Sequence, residues 1–343
     1  MRSALGKIVW TCGILMILFT PHGGWSQTKI KLATVEPGDL QASPALAAAV
    51  VFKHMVEVGT AGSVKVDIFP GGQLGNEREL IEGLRMGTVE MAITSDGPVG
   101  GFFEPILVLG IPYAFPSTVT AWKVLDGPFG KELMEAMRKK TGIRCLAITE
   151  NGFRHFTNSV RLIKSPADMK GLKIRTMENP AHMAIVRSLG ADPTPIAFGE
   201  LYSALQQRVV DGQENPVAVL YMIKGYEVQK YLTLDGHVYN PSFIWIHDKL
   251  YEKFPAPTRR LLAEAAIAAS LVKRAGVQVA EATKLEEMVK KGMQVYQPSA
   301  AEREAFRNAS QKPVIELIEK KAGKDWIAKM FKAIEQVEKD SKD

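Results

Sequence analysis

From Lys29 onward the chain alternates short apolar runs with longer amphipathic segments, the arrangement of an α/β fold with strands and helices in separate layers. Residues 30–33 read as a strand and 44–58 as a helix. Over 63–69 the apolar residues Val64, Val66 and Ile68 alternate with Lys65 and Asp67, which predicts a half-buried strand closed by the turn Pro70-Gly71-Gly72. A helix over 76–86 and a strand over 89–94 complete this unit. Further strands are predicted at 143–149, 153–158, 171–175, 209–213 and 243–247. Residues 257–292 are nearly unbroken in helix formers, with only Gly276 interrupting. At 1.5 Å per residue that is on the order of 50 Å, longer than an ordinary domain is wide, so one helix is expected to run across two lobes.

The N-terminal end departs from this pattern. Arg2 and Lys7 precede an apolar run over 8–19 and a small-residue exit at Gly24-Trp25-Ser26, the form of a secretory signal peptide (1–26) cleaved near Ser26. The run is well short of the roughly 20 residues a bilayer span needs. Cys12 lies inside it instead of directly after it, which argues against a lipid anchor. The expected destination is the periplasm. Loss of the leader leaves Cys145 without a disulfide partner, so stability must come from a core, which the 46% hydrophobic content can build. The net charge of +6 includes Arg2 and Lys7. The remaining charge is spread along the chain as a solvated surface, without the basic stripe that nucleic-acid binding requires.

Enzyme signatures are missing: no P-loop, Gly-x-Ser-x-Gly elbow, His-Glu-x-x-His or Cys-x-x-Cys occurs. His54, His155, His182, His237 and His247 lack the spacing of zinc ligands and read as surface or locally hydrogen-bonded residues. Neither metal nor cofactor is expected. The informative stretch runs from Glu150-Asn151-Gly152-Phe153-Arg154 to Gly171-Leu172-Lys173-Ile174-Arg175. Arg175 closes a predicted strand, and Asn179-Pro180 has the cap-then-proline chemistry of a helix start. A guanidinium at the end of a strand, beside the positive end of a helix, suits a carboxylate. A surface ion pair with Glu178 suits the same spacing.

Longer segments carry a resemblance. Pro70-Gly71-Gly72-Gln73-Leu74-Gly75, Leu84-Arg85-Met86-Gly87-Thr88-Val89-Glu90, Gly171-Leu172-Lys173-Ile174-Arg175, Pro195-Ile196-Ala197-Phe198-Gly199-Glu200 and Val210-Asp211-Gly212-Gln213-Glu214-Asn215-Pro216 follow one another as in the dicarboxylate-type family of TRAP solute receptors, which the chain resembles almost throughout its mature length. The resemblance implies a two-lobed periplasmic binding protein of type II-like topology, with a mixed sheet in each lobe, strand crossovers and the long helix spanning both. It places 27–149 with 239–270 in the first lobe, and 150–238 with 271–343 in the second. In receptors it resembles, the arginine matching Arg175 pairs with a ligand carboxylate and the one matching Arg154 assists. Phe198 matches a wall of the pocket and Asn215 a polar contact.

Read without the family, Phe198 is a core residue at a helix start and Asn215 a cap before Pro216. From the first lobe, Glu36, Ser95 and Asp96 match ligand-facing positions. An Asp96 carboxylate beside an anion would need an ammonium or hydroxyl partner, and the residue equally fits an ordinary turn. The implied role is that of a monomeric receptor that closes on a small organic acid, catalyses nothing, and delivers its ligand to the small and large multi-span TRAP membrane subunits. A periplasmic sensor subunit is the rival role. A secreted hydrolase or lyase using Arg154 and Arg175 is another, although no nucleophile and base accompany them.

Overall fold

The computed structural model describes residues 27–341, so the expected leader and Cys12 lie outside the described residues. Strand β1 (Thr28–Thr34) pairs in parallel with β2 (Val64–Phe69) and β3 (Met91–Ser95). Helices Pro44–Gly59 and Glu77–Met86 make the two connections. Their ends follow from local chemistry. Ser43 caps the first helix by accepting from the Leu46 N–H, and Asn76 with Glu79 forms a capping box on the second, which Gly87 ends in the left-handed region at φ 77°.

The remaining strands are β4 (Ile143–Asn158), β5 (Lys173–Thr176), β6 (Asp192–Pro195), β7 (Gly212–Asn215), β8 (Tyr231–His247) and β9 (Gln294–Tyr296). All join one nine-stranded ladder in the order β2-β1-β3-β8-β4-β7-β5-β6, with β9 on β8. The long antiparallel pair β4 and β8 crosses from the β1–β3 half to the β5–β7 half. The sheet expected in each lobe is therefore one half of a continuous ladder. Successive residues of β8 enter different cores. Ile244 and Ile246 pack with Ile30, Phe52 and Leu262, whereas Phe243 and Trp245 join Leu80, Val108 and Met137. The sheet is thus buried on both faces, as strand alternation requires.

Several elements differ from expectation. The strands predicted at 143–149 and 153–158 are one strand, because Glu150-Asn151-Gly152 forms a bulge, with Gly152 at φ +114°. β8 begins at Tyr231 instead of 243. Its Asp235-Gly236 and Asn240-Pro241 read as breakers, yet Pro241 sits opposite Glu150 where the register already shifts. The strand predicted at 209–213 starts at Gly212, because Val209 and Val210 belong to the turn after helix Leu201–Gln206 and Val210 packs on Leu201 and Leu205.

The long helix, Ala256–Lys290, has 35 residues, about 52 Å at the standard rise. It packs on helix Pro44–Gly59, on β4 and on helix Val217–Met222, touching both halves. Gly276 permits this approach, since a Cβ there would stand 3.2 Å from that of Pro44. The last described helix is Lys324–Asp340. That helix packs on helices Thr118–Asp126 and Pro128–Thr141 of the first half, because its apolar stripe Ile327, Met330 and Ile334 is buried there. Among the described residues no helix is long and apolar enough to cross a membrane.

Candidate functional site

The carboxyl ends of β1, β3, β5 and β7 meet the bend of β4 and β8 around a cavity holding about 460 Å³ of empty space, open mouth included. Crevices at strand carboxyl ends are where open α/β sheets bind ligands. Glu36, Ser95, Arg154, Arg175, Phe198 and Asn215 all line it, so six of the seven expected residues come together.

β5 carries Arg175 into the cavity with the residue only 2% exposed. Its Nε donates to the Ile196 carbonyl at 2.9 Å, while Nη1 is buried without a partner among the described residues. Burial pulls its pKa down to about 10, with the Arg154 guanidinium acting in the same direction, so it stays charged at neutral pH. The surface pairing with Glu178 is not what forms. A buried cation with an unused donor is costly unless an anion completes it. Asn179 starts helix Pro180–Ser188 as expected, accepting from the Ala181 N–H at 2.9 Å.

Arg154 is equally buried but paired. Nη2 donates to Glu214 Oε1 at 3.0 Å, Nε to Glu214 Oε2, and Nη1 to Asn240 Oδ1 at 2.8 Å. Glu214 also faces His182 Nδ1 and His237 Nε2, each at 3.4 Å, and His237 Nδ1 meets Asp235 Oδ2 at 2.8 Å. Burial disfavours the Glu214 carboxylate, yet Arg154 and His182 hold its pKa well below the usual range. Burial likewise opposes a charged His237, but Asp235 and Glu214 raise it to about 9. Of the two readings offered for the histidines, His182 and His237 take the locally hydrogen-bonded one, buried against Glu214; burial lowers the pKa of His182, whereas His237 is the one held charged.

Asp96 is the expected site residue that does not line the cavity. It turns into the core behind Arg154, where Oδ1 accepts from Asn240 Nδ2 at 2.6 Å, and burial pushes its carboxyl up to about 7 against the pull of Arg154.

Several polar lining residues were not among the expected site residues, Lys273, Glu77, Asn151 and Ser242 among them. Lys273 projects from the long helix, 1% exposed, and its ammonium meets Asn151 Oδ1 at 2.6 Å, Glu36 Oε1 at 3.1 Å and Ser242 Oγ at 3.2 Å. The other Glu36 oxygen accepts from Ser43 Oγ and the Ala45 N–H. Glu77 accepts from the Ser95 N–H at 2.6 Å and from Ser95 Oγ at 2.7 Å. Lys273 left a signal: it occupies the buried stripe Leu262, Ala266, Ala269, Lys273, Val277, where helical spacing calls for an apolar residue. Across the mouth, Ser95 Oγ stands 3.5 Å from Met177 Sδ.

Two α/β halves flanking a charged crevice define a binding protein of the two-lobed class. The family described as "Bacterial extracellular solute-binding protein, family 7" matches residues 40–321, and the chain belongs to it. The 2,3-diketo-L-gulonate-binding periplasmic protein of Escherichia coli is 33% identical over 291 residues, 85% of this chain and 87% of that one. A TRAP periplasmic solute-binding protein of a Polaromonas species, solved with D-erythronate, superposes with TM-score 0.83 at 38% identity, covering 89% of this chain and 98% of its own. The sugar acid binding protein of Advenella mimigardefordensis, solved with galactonate, gives TM-score 0.86 at 31% identity over 91% and 99% of the two chains.

Proposed function

We propose that this chain is the periplasmic receptor of a TRAP-type transporter, closing on a small organic acid and delivering it to membrane subunits. The observation that carries this reading is the buried, unpartnered Nη1 of Arg175. A closed cleft strips water from a ligand carboxylate, which then needs both charge and hydrogen bonds. Arginine offers both in one planar fork. The organic acids bound in the two solved relatives support the same chemistry, and the secretory leader read at the N-terminus supports export. In this reading 27–149 with 239–270 moves as one lobe against 150–238. A ligand touching both lobes favours the closed state.

A thermal-shift screen of carboxylic acids identifies a ligand, and calorimetry then tests the site. Arg175→Ala is expected to weaken binding by about 2–5 kcal/mol, and Arg175→Lys to weaken it less while leaving the fold intact. A folded Arg175→Ala that binds within about threefold of the parent chain, below 1 kcal/mol, removes Arg175 from the site.

A further inference from the structure

We infer that the cavity selects an acid with one carboxylate and several hydroxyl groups, and that the Glu36 and Lys273 pair excludes a second carboxylate. This rests on Arg175 as the carboxylate anchor. Three cations line the cavity: Arg154, Arg175 and Lys273. Arg154 is committed to Glu214 and Asn240. An ammonium has three donors, and those of Lys273 face Glu36, Asn151 and Ser242. Of these three cations, only Arg175 keeps a buried donor without a partner among the described residues.

One carboxylate therefore satisfies the available charge. A second would lose its water beside the carboxylates of Glu36 and Glu77, with no free cation to receive it, and like charges at close range in a dry site are strongly unfavourable. Hydroxyl groups suit the same surroundings. Glu77 accepts two bonds, both from Ser95, out of about four that a carboxylate can take. A hydroxyl donates to such oxygens without adding charge, and the Asn215 amide lines the same space.

Calorimetric titration of the mature chain with four- to six-carbon aldonates, and with succinate and malate, tests the inference at one pH and ionic strength. At least one aldonate is expected to bind about 100-fold more tightly than either dicarboxylate. Glu36→Gln keeps the volume, and its amide oxygen can still accept from Ser43 and the Ala45 N–H, but its NH2 then faces Lys273 and no longer neutralises that charge. The preference for aldonate over succinate should then fall about tenfold or more, with urea unfolding run alongside to establish the fold. Should that variant not fold, Glu77→Gln is the second test, with the same direction expected. A dicarboxylate within tenfold of the best aldonate overturns the inference, as does an unchanged preference in the folded variants. If a dicarboxylate binds best and Arg175→Ala abolishes its binding, this inference falls and the receptor reading stands. Binding of no acid overturns both.

Discussion

Arg154 and Arg175 reach the same cavity wall, and their neighbours give them different work. Glu214 takes up the first guanidinium, whereas the second has only a backbone carbonyl on Nε. Around Arg154 the charges alternate through Glu214 and His237 to Asp235, and His237 sits between two carboxylates with its pKa raised to about 9. An unfolded histidine titrates near 6.5. The stabilisation from this imidazolium is thus complete below about pH 6.5 and lost as pH rises through about 9, because the folded chain keeps a proton the unfolded chain has released. Asp96 and Glu281, each raised to about 7 chiefly by burial, act the same way at lower pH, while His155, lowered to about 4 by burial, acts oppositely there. Asp96 and Glu281 finish titrating within about one unit above pH 7, so toward pH 9 His237 dominates. Urea unfolding should show the protein losing on the order of 2 kcal/mol between pH 7 and 9, and His237→Asn should flatten that slope. An equal slope in the variant would place the titrating group elsewhere.

At the scale of elements, the turn that follows β3 comes very close to the segment that follows β5. A Cβ on Gly97 would lie 2.7 Å from Met177 Sδ and 3.0 Å from Met177 Cβ. The thioether can swing aside but the Cβ cannot, so Gly97→Val should fold normally yet hold the halves apart. Calorimetry is expected to show at least a tenfold loss of affinity, about 1.4 kcal/mol; undiminished binding would mean that these segments need not meet. Such close approaches were not visible in the sequence, whereas regular elements were. Alternation marked β2, the Asn179-Pro180 pair marked a helix start, and an unbroken run of helix formers marked the long helix to within two residues at each end. β4 and β8 are not legible where they bend, since glycine, proline and aspartate there look like loop residues and only tertiary pairing shows them to be bulges. Within the site, Phe198 and Asn215 are legible only through family resemblance. Lys273 is hidden because a lysine on a long helix reads as solvated until its stripe is traced.

For the molecule as a whole, β4, β8 and the long helix connect the halves in three places, so ligand should narrow the cleft without altering the oligomeric state. Small-angle scattering is expected to give a smaller radius of gyration at saturation and an unchanged molecular mass; a constant radius, with the free form shown to be open, would count against a hinged clamp. The long helix has one more consequence. Its first half lies along helix Pro44–Gly59, and its second half grips helix Val217–Met222 through Glu281 to the Ala218 N–H and Glu287 to Tyr221 Oη. On the proposed clamp, a rod fastened on both sides of a joint acts as a leaf spring, whose stiffness would set how often the empty receptor visits the closed shape. Apparent affinity scales with that fraction whatever acid is offered. Changes in the spring would retune how tightly every ligand is held by one common factor, while the choice among ligands stayed with the cavity.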